Sequence, residues 1–233
     1  MNIALIGYGK MGRTIEELAV SQGHHIVGHF SNHIGEIETL KLADVCIEFT
    51  QPDATIENIK KIAPFNKKIV IGTTGWTHQL DILKELVETH QLGVIYSPNF
   101  ALGVAIFQEI LNQASQLFNK FSEYDVAGIE YHHNQKKDSP SGLATHIINT
   151  VESNMPRLTH LPFSSVRCGD LFGIHTLMFD SPFDTITLTH TAKNRLGFAA
   201  GALQAADWIQ GKQGLFTFND CIKDIFEKEQ LCN

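Results

Sequence analysis

The sequence predicts an α/β protein with a doubly wound parallel sheet and an inserted α+β domain with an open, mixed sheet. Three observations support this prediction. An apolar strand at the N-terminus leads into a glycine-rich turn and a helix, strands and helices then alternate up to about residue 101, and β-like runs with few helices follow. A chain of 233 residues is long enough for two small domains of these kinds.

The first strand, turn and helix have a dinucleotide-binding pattern. Residues 2–6 form the predicted strand, and Gly7-Tyr8-Gly9-Lys10-Met11-Gly12 follows with the spacing G-x-G-x-x-G before a predicted helix. In a Rossmann-type unit, Gly7 makes the tight turn, Gly9 lets the backbone approach a pyrophosphate, and Gly12 lets the helix pack on the strand. A tight turn without a ligand is the alternative. The position directly after an N-terminal strand favours dinucleotide binding.

The end of the second predicted strand, residues 25–30, bears on the choice between NAD and NADP. An NAD-binding unit usually carries an acidic residue there, which binds the ribose hydroxyls. This sequence has Ser31 and Asn32 instead. A 2′-phosphate would meet no negative charge, and Ser31, Asn32 or Lys10 could donate a hydrogen bond to it. The sequence therefore favours NADPH, and NADH stays an alternative because Asn32 could also hold a ribose hydroxyl.

Three more predicted strands complete the first sheet, at residues 44–49, 68–71 and 93–96. Parallel sheets of this kind bind ligands at the carboxyl ends of their strands. Each of these strands is followed by a turn that combines hydroxyl or amide side chains with an aromatic residue, at residues 49–52, 72–76 and 97–100. Such side chains suit a ribose, a carboxamide or a nicotinamide ring. The three turns therefore predict one ligand-binding edge.

From residue 102 the pattern indicates a second domain. After a helix, β-like runs occur at residues 125–131, 164–168, 173–179 and 185–191. A last, alanine-rich helix at 198–210 is predicted to return to the first domain. The predicted division is therefore a dinucleotide-binding domain, 1–101 with 198–233, and a substrate-binding and oligomerisation domain, 102–197. A small open sheet needs cover, so its exposed face is the predicted subunit interface.

The most informative stretch lies between the strand at 125–131 and the next helix. It contains two imidazoles, His132 and His133, and two ammonium groups, Lys136 and Lys137. The pair Ser139-Pro140 predicts the helix start, whose free N–H groups favour an anion. Gly142 has no side chain to block the approach. We predict a pocket for a small dicarboxylic anion, although histidines in a loop can also be solvated surface residues.

Composition excludes several other classes of function. The net charge of -7 and the pI near 5.9 argue against nucleic-acid binding. The chain shows no apolar signal region and no run of about 20 apolar residues, so we expect a cytoplasmic protein without a membrane partner. The four cysteines include no C-x-x-C pair, so neither a metal site nor a disulfide framework is expected.

These residues also carry a family resemblance. The chain resembles the 4-hydroxy-tetrahydrodipicolinate reductases of lysine and diaminopimelate biosynthesis over nearly its whole length. The resemblance rests most on Glu130-x-His132-His133-x-x-Lys136-x-Asp138-x-Pro140-Ser141-Gly142. The glycine motif, Glu48-Phe49-Thr50 and the turns at 72–75 and 97–100 support it, and Gly173-x-His175-Thr176 adds weaker support.

The resemblance implies hydride transfer from NADPH or NADH to a cyclic imine dicarboxylate, in an enzyme that is typically a homotetramer joined through the second domain. It implies His132 as proton donor or acceptor and Lys136 as proton donor. Substrate contacts would come from His133, Gly142 and Leu143. Ser31 and Asn32 are candidate cofactor contacts because of their position at the end of the second predicted strand. The full set of candidate cofactor contacts is Gly7, Tyr8, Gly9, Lys10, Met11, Ser31, Asn32, Phe49, Thr50, Gly72, Thr73, Thr74, Ser97, Pro98, Asn99, Phe100, Arg195 and Phe198.

The sequence departs from the family pattern at several positions. Leu143 stands where the family usually has threonine, so we expect weaker substrate binding without loss of chemistry. Glu48 replaces the usual aspartate, and Gln51 stands where some members have arginine. Two other functions are weighed against this one: a dehydrogenase acting on an aspartate-derived aldehyde, and a dinucleotide sensor without catalysis. The aldehyde dehydrogenase function is disfavoured because this chain has no cysteine in a nucleophile-like setting. The sensor function is disfavoured because a sensor would not need Lys136 beside His132.

Overall fold

The computed structural model describes residues 1–31 and 38–230. The chain divides into two compact units, Met1–Leu102 with Arg195–Asn233, and Gly103–Asn194. The division made from the sequence places the boundaries after residues 101 and 197. Asn32, one of the candidate cofactor contacts, lies outside the described residues. Within the described part of the chain, no helix combines the length and the apolarity needed to cross a bilayer.

The described residues form strands and helices in the following order. The strands are β1 (Asn2–Ile6), β2 (His25–Phe30), β3 (Val45–Glu48), β4 (Lys68–Ile71), β5 (Gly93–Tyr96), β6 (Asp125–His132), β7 (Phe163–Arg167), β8 (Ile174–Asp180), β9 (Thr185–Thr191) and β10 (Gly214–Thr217). The α-helices are α1 (Lys10–Ser21), α2 (Pro52–Ile62), α3 (Leu80–His90), α4 (Leu102–Phe118), α5 (Gly142–Asn154), α6 (Leu196–Trp208) and α7 (Phe218–Gln230). Short 3₁₀ segments lie at Glu38–Leu42, Ala63–Phe65 and Thr77–Gln79.

The first unit is built on a parallel sheet with the strand order β10-β5-β4-β3-β1-β2. Strand β3 is buried along its whole length, as expected for a strand between two layers of helices. In the register, Ile6 pairs with both Phe30 and Glu48, and Ile71 pairs with both Glu48 and Tyr96. The strands β1 to β5 therefore all end at one edge, which brings the turns that follow them together.

The C-terminal part of the first unit differs from the prediction. The prediction that the helix at 198–210 is the last element is wrong. After α6, the chain forms β10, which pairs in parallel with β5, and then α7. Strand β10 has only four residues and begins at a glycine. Strands β4 and β5 are equally short but contain Ile-Val-Ile and Val-Ile, whereas Leu215-Phe216 has no such β-branched run, so pairing with β5 over a long sequence separation decides its conformation.

The second unit contains a mixed sheet with the order β7-β6-β8-β9. Strand β6 pairs in parallel with β7 and antiparallel with β8, and β8 pairs antiparallel with β9. One face of this sheet packs against α4 and α5 through an apolar core that includes Leu111, Ile147, Leu177 and Phe179. The two sheets confirm the predicted fold class.

The other face of the second sheet carries apolar side chains that point away from this core. Successive strand residues point to opposite faces, so Met178, between Leu177 and Phe179, lies on this outer face. Ala127 pairs with Met178, and Ile129 continues the same face along β6. Met178 is 43% exposed. We call the residues Ala127, Ile129 and Met178 the outer patch.

Two glycines of α6 provide a test of the packing in the first unit. A Cβ on Gly201 would lie 1.6 Å from the carbonyl oxygen of Phe100, whereas one on Gly197 would meet nothing within 4 Å. Gly201→Ala should therefore lower the free energy of unfolding by roughly 1–3 kcal/mol through overpacking. Gly197→Ala should raise it by up to about 1 kcal/mol, because alanine favours the helix.

Urea unfolding of both variants, followed by circular dichroism, measures these changes. Equal effects of the two substitutions would contradict the close approach of α6 to Phe100.

Candidate active site

Strand β6 and its neighbours place a row of polar side chains at one end of the core face of the second sheet. In the register, Glu130 of β6 lies opposite Ser165 of β7 and His175 of β8. His132 lies two residues further along β6, and alternate residues of a strand share a face. Glu130, His132 and His175 therefore point the same way, and all three are buried.

The carboxylate of Glu130 joins this row to the start of α5. Its Oε1 accepts hydrogen bonds from the backbone N–H of Ser141 (3.0 Å) and from the hydroxyl of Ser165 (2.7 Å). Its Oε2 lies 3.4 Å from Nδ1 of His132 and 3.3 Å from Nε2 of His175. Nε2 of His175 also lies 3.1 Å from Oγ of Ser141. One buried carboxylate thus contacts two strands and a helix start.

Burial and neighbouring charges set the protonation states of this row. Burial opposes ionisation of Glu130, but hydrogen bonds from Ser141 and Ser165 outweigh it and lower the pKa of the carboxyl. Burial lowers the pKa of His132, and the Glu130 carboxylate counteracts this effect. Burial, with a smaller contribution from His132, lowers the pKa of His175 to about 4. At neutral pH, Glu130 is therefore an anion and His175 is a neutral imidazole.

Arg167 of β7 braces the loop that joins β6 to α5. Its guanidinium donates hydrogen bonds to the backbone oxygen of Asp138 (2.6 Å) and, more weakly, to that of Lys136 (3.4 Å). The ammonium of Lys136 donates to the carboxylate of Asp138 at 2.9 Å, and its side chain is only 22% exposed. Lys137 is exposed. The structure therefore distinguishes the two lysines, since Lys136 is held within the loop and Lys137 is directed to solvent.

The prediction that α5 starts at Ser139-Pro140 is wrong. Ser141 is the N-cap, and its Oγ accepts a hydrogen bond from the backbone N–H of Ala144 at 3.2 Å. The helix begins at Gly142, and the Ser139–Pro140 peptide bond is cis. Either serine can cap a helix. The contacts of Ser141 with Glu130 and His175, which come from distant strands, select the second one.

The first turn of α5 offers backbone N–H groups to an anion. Glu130 already accepts from Ser141, but within residues 1–31 and 38–230 the N–H groups of Gly142 and Leu143 have no acceptor. The space beside Gly142 is open, since a Cβ there would meet nothing within 4 Å. The side chain of Leu143 packs against the apolar core instead of entering this space. Free N–H groups at a helix start can bind a carboxylate.

The remaining predicted residues of this site lie around the end of β6. His132 is the last residue of β6, and His133 donates its backbone N–H to the oxygen of Leu171 at 2.8 Å. Nδ1 of His133 is buried and has no partner among the described residues. The charges of Lys136 and Asp138 both act on the pKa of His132. The structure therefore brings His132, Lys136 and the start of α5 into one part of the second unit.

In the first unit, the glycine motif lies where β1 has β2 on one side and β3 on the other. Ligands of doubly wound sheets bind at such a reversal of strand order. Gly7 has φ of +92°, and a Cβ there would lie 2.0 Å from the carbonyl oxygen of Phe49. A Cβ on Gly12 would lie 2.3 Å from the oxygen of Gly7. Gly9 is the N-cap of α1, and no side chain caps that helix.

The turn after β3 packs against the turn after β4. A Cβ on Gly72 would lie 2.1 Å from the ring of Phe49, and the backbone N–H of Thr50 donates to Oγ1 of Thr73 at 2.7 Å. The hydroxyl of Thr50 donates to the buried carboxylate of Glu48. Burial raises the pKa of Glu48. These contacts fix the two turns relative to each other at the carboxyl edge of the sheet.

The other candidate cofactor contacts differ in how far their side chains are exposed to solvent. Phe100 is buried against Phe218, with ring centroids 5.0 Å apart, so its side chain belongs to the core. Ser97 donates its hydroxyl to the oxygen of Asn99 at 2.6 Å, which closes the turn after β5. Tyr8 donates its hydroxyl to Glu16. Met11 and Phe198 are half-buried, whereas exposed candidates are Gly9, Lys10, Ser31, Thr74, Pro98 and Arg195.

The sequence alone indicates no role for Glu130, Arg167 or His175, although Glu130 and His175 stand in the motifs that carry the family resemblance. The spacing of Glu130 and His132 in a predicted strand already indicates that they share a face. Arg167 and His175 reach them only through the register of three strands, which the sequence does not show. Ligand atoms of Glu130, His132 and His175 lie within 4.8 Å of one another, but the positive charges of Lys136 and Arg167 act on His132 and oppose a metal ion at this cluster.

Comparisons with known proteins agree with this geometry. Family models for dihydrodipicolinate reductase match residues 1–100 (N-terminus) and 103–222 (C-terminus). A 4-hydroxy-tetrahydrodipicolinate reductase from Christiangramia forsetii is 35% identical over 239 residues, which cover 97% of this chain and 100% of the relative. Another from Methanoregula boonei is 36% identical over 244 residues, which cover 92% of this chain and 94% of the relative.

Solved structures show the same fold. Dipicolinate-bound dihydrodipicolinate reductase from Paenisporosarcina sp. TG-14 has a TM-score of 0.80 at 24% identity, over 94% of this chain and 98% of that chain. An aspartate semialdehyde dehydrogenase from Vibrio cholerae has a TM-score of 0.52 at 12% identity, over 88% of this chain and 97% of that chain, so it shares the fold alone. Both family models and the full-length relatives confirm the resemblance seen in the motifs. The chain therefore belongs to the dihydrodipicolinate reductase family of oxidoreductases, which act in lysine and diaminopimelate biosynthesis.

Proposed function

We propose that the chain reduces the dihydrodipicolinate-type cyclic imine dicarboxylate to tetrahydrodipicolinate with NADPH or NADH. The observation that carries this proposal is the arrangement in the second unit, where free N–H groups at the start of α5 lie in the same region as His132 and Lys136. A carboxylate anchor beside proton donors is what a reductase of a dianionic imine requires. The relatives named above, which match this chain over nearly its full length, support the same reaction.

The first unit fits a nicotinamide dinucleotide. The close approaches at Gly7 and Gly12 leave no room for side chains, and the uncapped start of α1 leaves N–H groups for a pyrophosphate. Gly7 to Met11, the turn at 72–74 and the turn at 97–100 would hold the cofactor, with Phe49, Thr50, Arg195 and Phe198 beside them. When bound, the reduced nicotinamide supplies the hydride.

The second unit supplies the binding and the protons. The N–H groups of Gly142 and Leu143, together with His133, would bind the carboxylates of the substrate. Hydride addition to the imine system increases electron density on carbon or nitrogen, and a protonated His132 nearby stabilises that charge by donating a proton. Lys136 either donates a proton itself or balances a substrate carboxylate.

Coupled turnover tests the proposed reaction directly. Pyruvate, aspartate semialdehyde and the preceding synthase generate the substrate, and the loss of nicotinamide absorbance measures its reduction. We expect turnover that depends on all three additions. A chain that oxidises neither NADPH nor NADH in this assay contradicts the proposed function.

Two finer points belong to the same proposal. NADPH is the preferred cofactor, because Ser31 and Lys10 are exposed, Ser31 directly follows β2, and no acidic side chain stands at position 31. The enzyme is a cytoplasmic homotetramer joined through the second unit, and the apolar outer patch supports this assembly.

Adjacent lysines allow a matched test of the proposed roles. Lys136→Ala should lower kcat by about 10²-fold or more, because it removes a proton donor or a charge next to the substrate. His132→Ala should have an effect of similar size. Lys137→Ala should retain most of the activity, since Lys137 is directed to solvent. Steady-state kinetics and circular dichroism of the three variants separate lost chemistry from lost folding, and full turnover by Lys136→Ala would remove that residue from the mechanism.

A negative charge at position 31 should change cofactor choice. Ser31→Asp should shift the ratio of kcat/KM for NADPH and NADH towards NADH, because the new carboxylate repels a 2′-phosphate and accepts from ribose hydroxyls. Ser122→Asp adds the same charge on an exposed turn of the second unit and should leave the ratio unchanged. An unaltered ratio in Ser31→Asp would show that the adenosine ribose lies elsewhere.

The outer patch provides a test of the assembly. Met178→Glu places a charge on the outer face and should dissociate the homotetramer. Ile186→Glu is a matched control, because Ile186 pairs with Phe179 on the opposite face and is 42% exposed, close to the 43% of Met178. Light scattering coupled to size-exclusion chromatography measures the mass of each variant. A tetramer that survives Met178→Glu would place the interface outside the patch.

A further inference from the structure

We propose that Glu130 is a positioning residue that orients the imidazole of His132 for proton donation and fixes the anion-binding start of α5. This inference rests on the proposed function for the identity of the proton acceptor. It goes beyond that function because Glu130 would touch neither substrate nor cofactor. One carboxylate would thereby align the imidazole of His132, the proton donor, with the N–H groups at the start of α5, which bind the substrate carboxylate.

The two oxygens of Glu130 have separate partners. Oε1 accepts from the N–H of Ser141 and the hydroxyl of Ser165, at 3.0 and 2.7 Å, and the Arg167 guanidinium lies 3.5 Å from it. Oε2 faces His132 and His175, at 3.4 and 3.3 Å. A fully buried carboxylate is costly unless its partners compensate for lost hydration. The division of its partners between a helix start and two imidazoles makes Glu130 the common support of both.

The position of Glu130 determines which nitrogen of His132 can exchange a proton. Nδ1 of His132 is fully buried and makes no hydrogen bond to a described residue, and Oε2 of Glu130, which also makes none, lies 3.4 Å from it. A buried N–H needs an acceptor, so Nδ1 carries the hydrogen that points at the carboxylate, and Nε2 exchanges its proton with a substrate. A separation of 3.4 Å is long for a hydrogen bond, and such bonds often shorten when substrate binds.

Gly173 leaves space beside Nε2 of His132, the nitrogen that exchanges its proton. A Cβ there would lie 3.0 Å from Nε2 of His132, and Gly173 has φ of +145°, a conformation that favours glycine. The glycine therefore keeps the exchanging side of the imidazole free of a neighbouring side chain.

His175 completes the surroundings of the carboxylate. Its pKa of about 4 makes it neutral at pH 7. Its Nδ1 is buried without a partner among the described residues, so the single N–H is better placed on Nε2, facing Oε2 of Glu130 and Oγ of Ser141. His175 thus turns its N–H towards the carboxylate and the Ser141 hydroxyl without adding a charge. The cationic groups of Lys136 and Arg167 act on the same site and oppose a metal ion there.

The charges that face His132 come from every element around it. Glu130 on β6 and Asp138 in the loop raise its pKa, whereas Arg167 on β7 and Lys136 in the loop lower it, and His175 on β8 is neutral. Removing the negative charge of Glu130 must therefore make His132 harder to protonate. A neutral side chain at position 130 would have no such effect.

A titration of His132 tests the inference without depending on turnover. In ¹³C-histidine NMR spectra of the intact enzyme, with His132→Gln used for assignment, Glu130→Gln should lower the pKa of His132 by about one unit, a tenfold change in proton affinity. The amide keeps the size of the side chain and an oxygen for the N–H of Ser141. Ser165→Ala is the matched control, because it removes a hydrogen bond from the same carboxylate but leaves its charge.

Turnover provides a second readout. The pH at which kcat falls should move to lower pH by the same amount in Glu130→Gln, with kcat at neutral pH reduced about tenfold or more and KM changed less. A pKa of His132 that does not move in Glu130→Gln, or that moves equally in Ser165→Ala, overturns the inference even when the enzyme is active. Loss of activity after EDTA treatment that Zn²⁺ restores would also overturn it, in favour of a metal centre.

Discussion

The second unit depends on a carboxylate buried in a β-sheet. Glu130 is inaccessible to solvent, so its charge must be balanced by partners supplied from within the unit. The partners come from β7, β8 and the start of α5, which are far apart in the sequence. The register of three strands, the cap of α5 and the orientation of two imidazoles therefore form one connected arrangement. A shift of register by one residue would break all of these contacts together, because it would turn Glu130 to the other face.

The first unit depends on a different constraint, which is that its backbone must approach a ligand closely. At the reversal of strand order, the turn after β1 lies against the carbonyl of Phe49, and the ring of Phe49 lies against Gly72. Both contacts exclude a side chain at the glycine. The same edge is stabilised by Phe100, which lies within the core. Its neighbour Asn99 accepts from the N–H of Ala101 at 2.8 Å and so shapes the turn after β5.

Much of this architecture could be predicted from the sequence, because it rests on local patterns. The glycine spacing, the alternation of strands and helices, and the change of pattern near residue 102 gave the fold class and the family, both of which are confirmed. Strand β10 escaped prediction because it lacks the β-branched run that marks the equally short β4 and β5, and the capping role of Ser141 depends on contacts with Glu130 and His175. The residues assigned to substrate and cofactor stay predictions, since they follow from the motifs and the geometry of the chain alone.

The departure at Leu143 also has a structural reason. A threonine at this position could present a hydroxyl to an anion, whereas the leucine side chain packs on the apolar core of the second unit. The backbone N–H of Leu143 does not depend on the side chain. The substitution therefore exchanges a polar contact for core packing and keeps the dipole of the helix start.

The pairing of β10 with β5 has a consequence for synthesis of the chain on the ribosome. Strand β5 is complete by residue 96, but its neighbour β10 begins at residue 214. A nascent chain therefore exposes one unpaired edge of β5 while the whole second unit is being translated, and exposed strand edges promote aggregation. A truncated product that stops within the second unit keeps this edge open, so the nucleotide-binding half is not an independent N-terminal module.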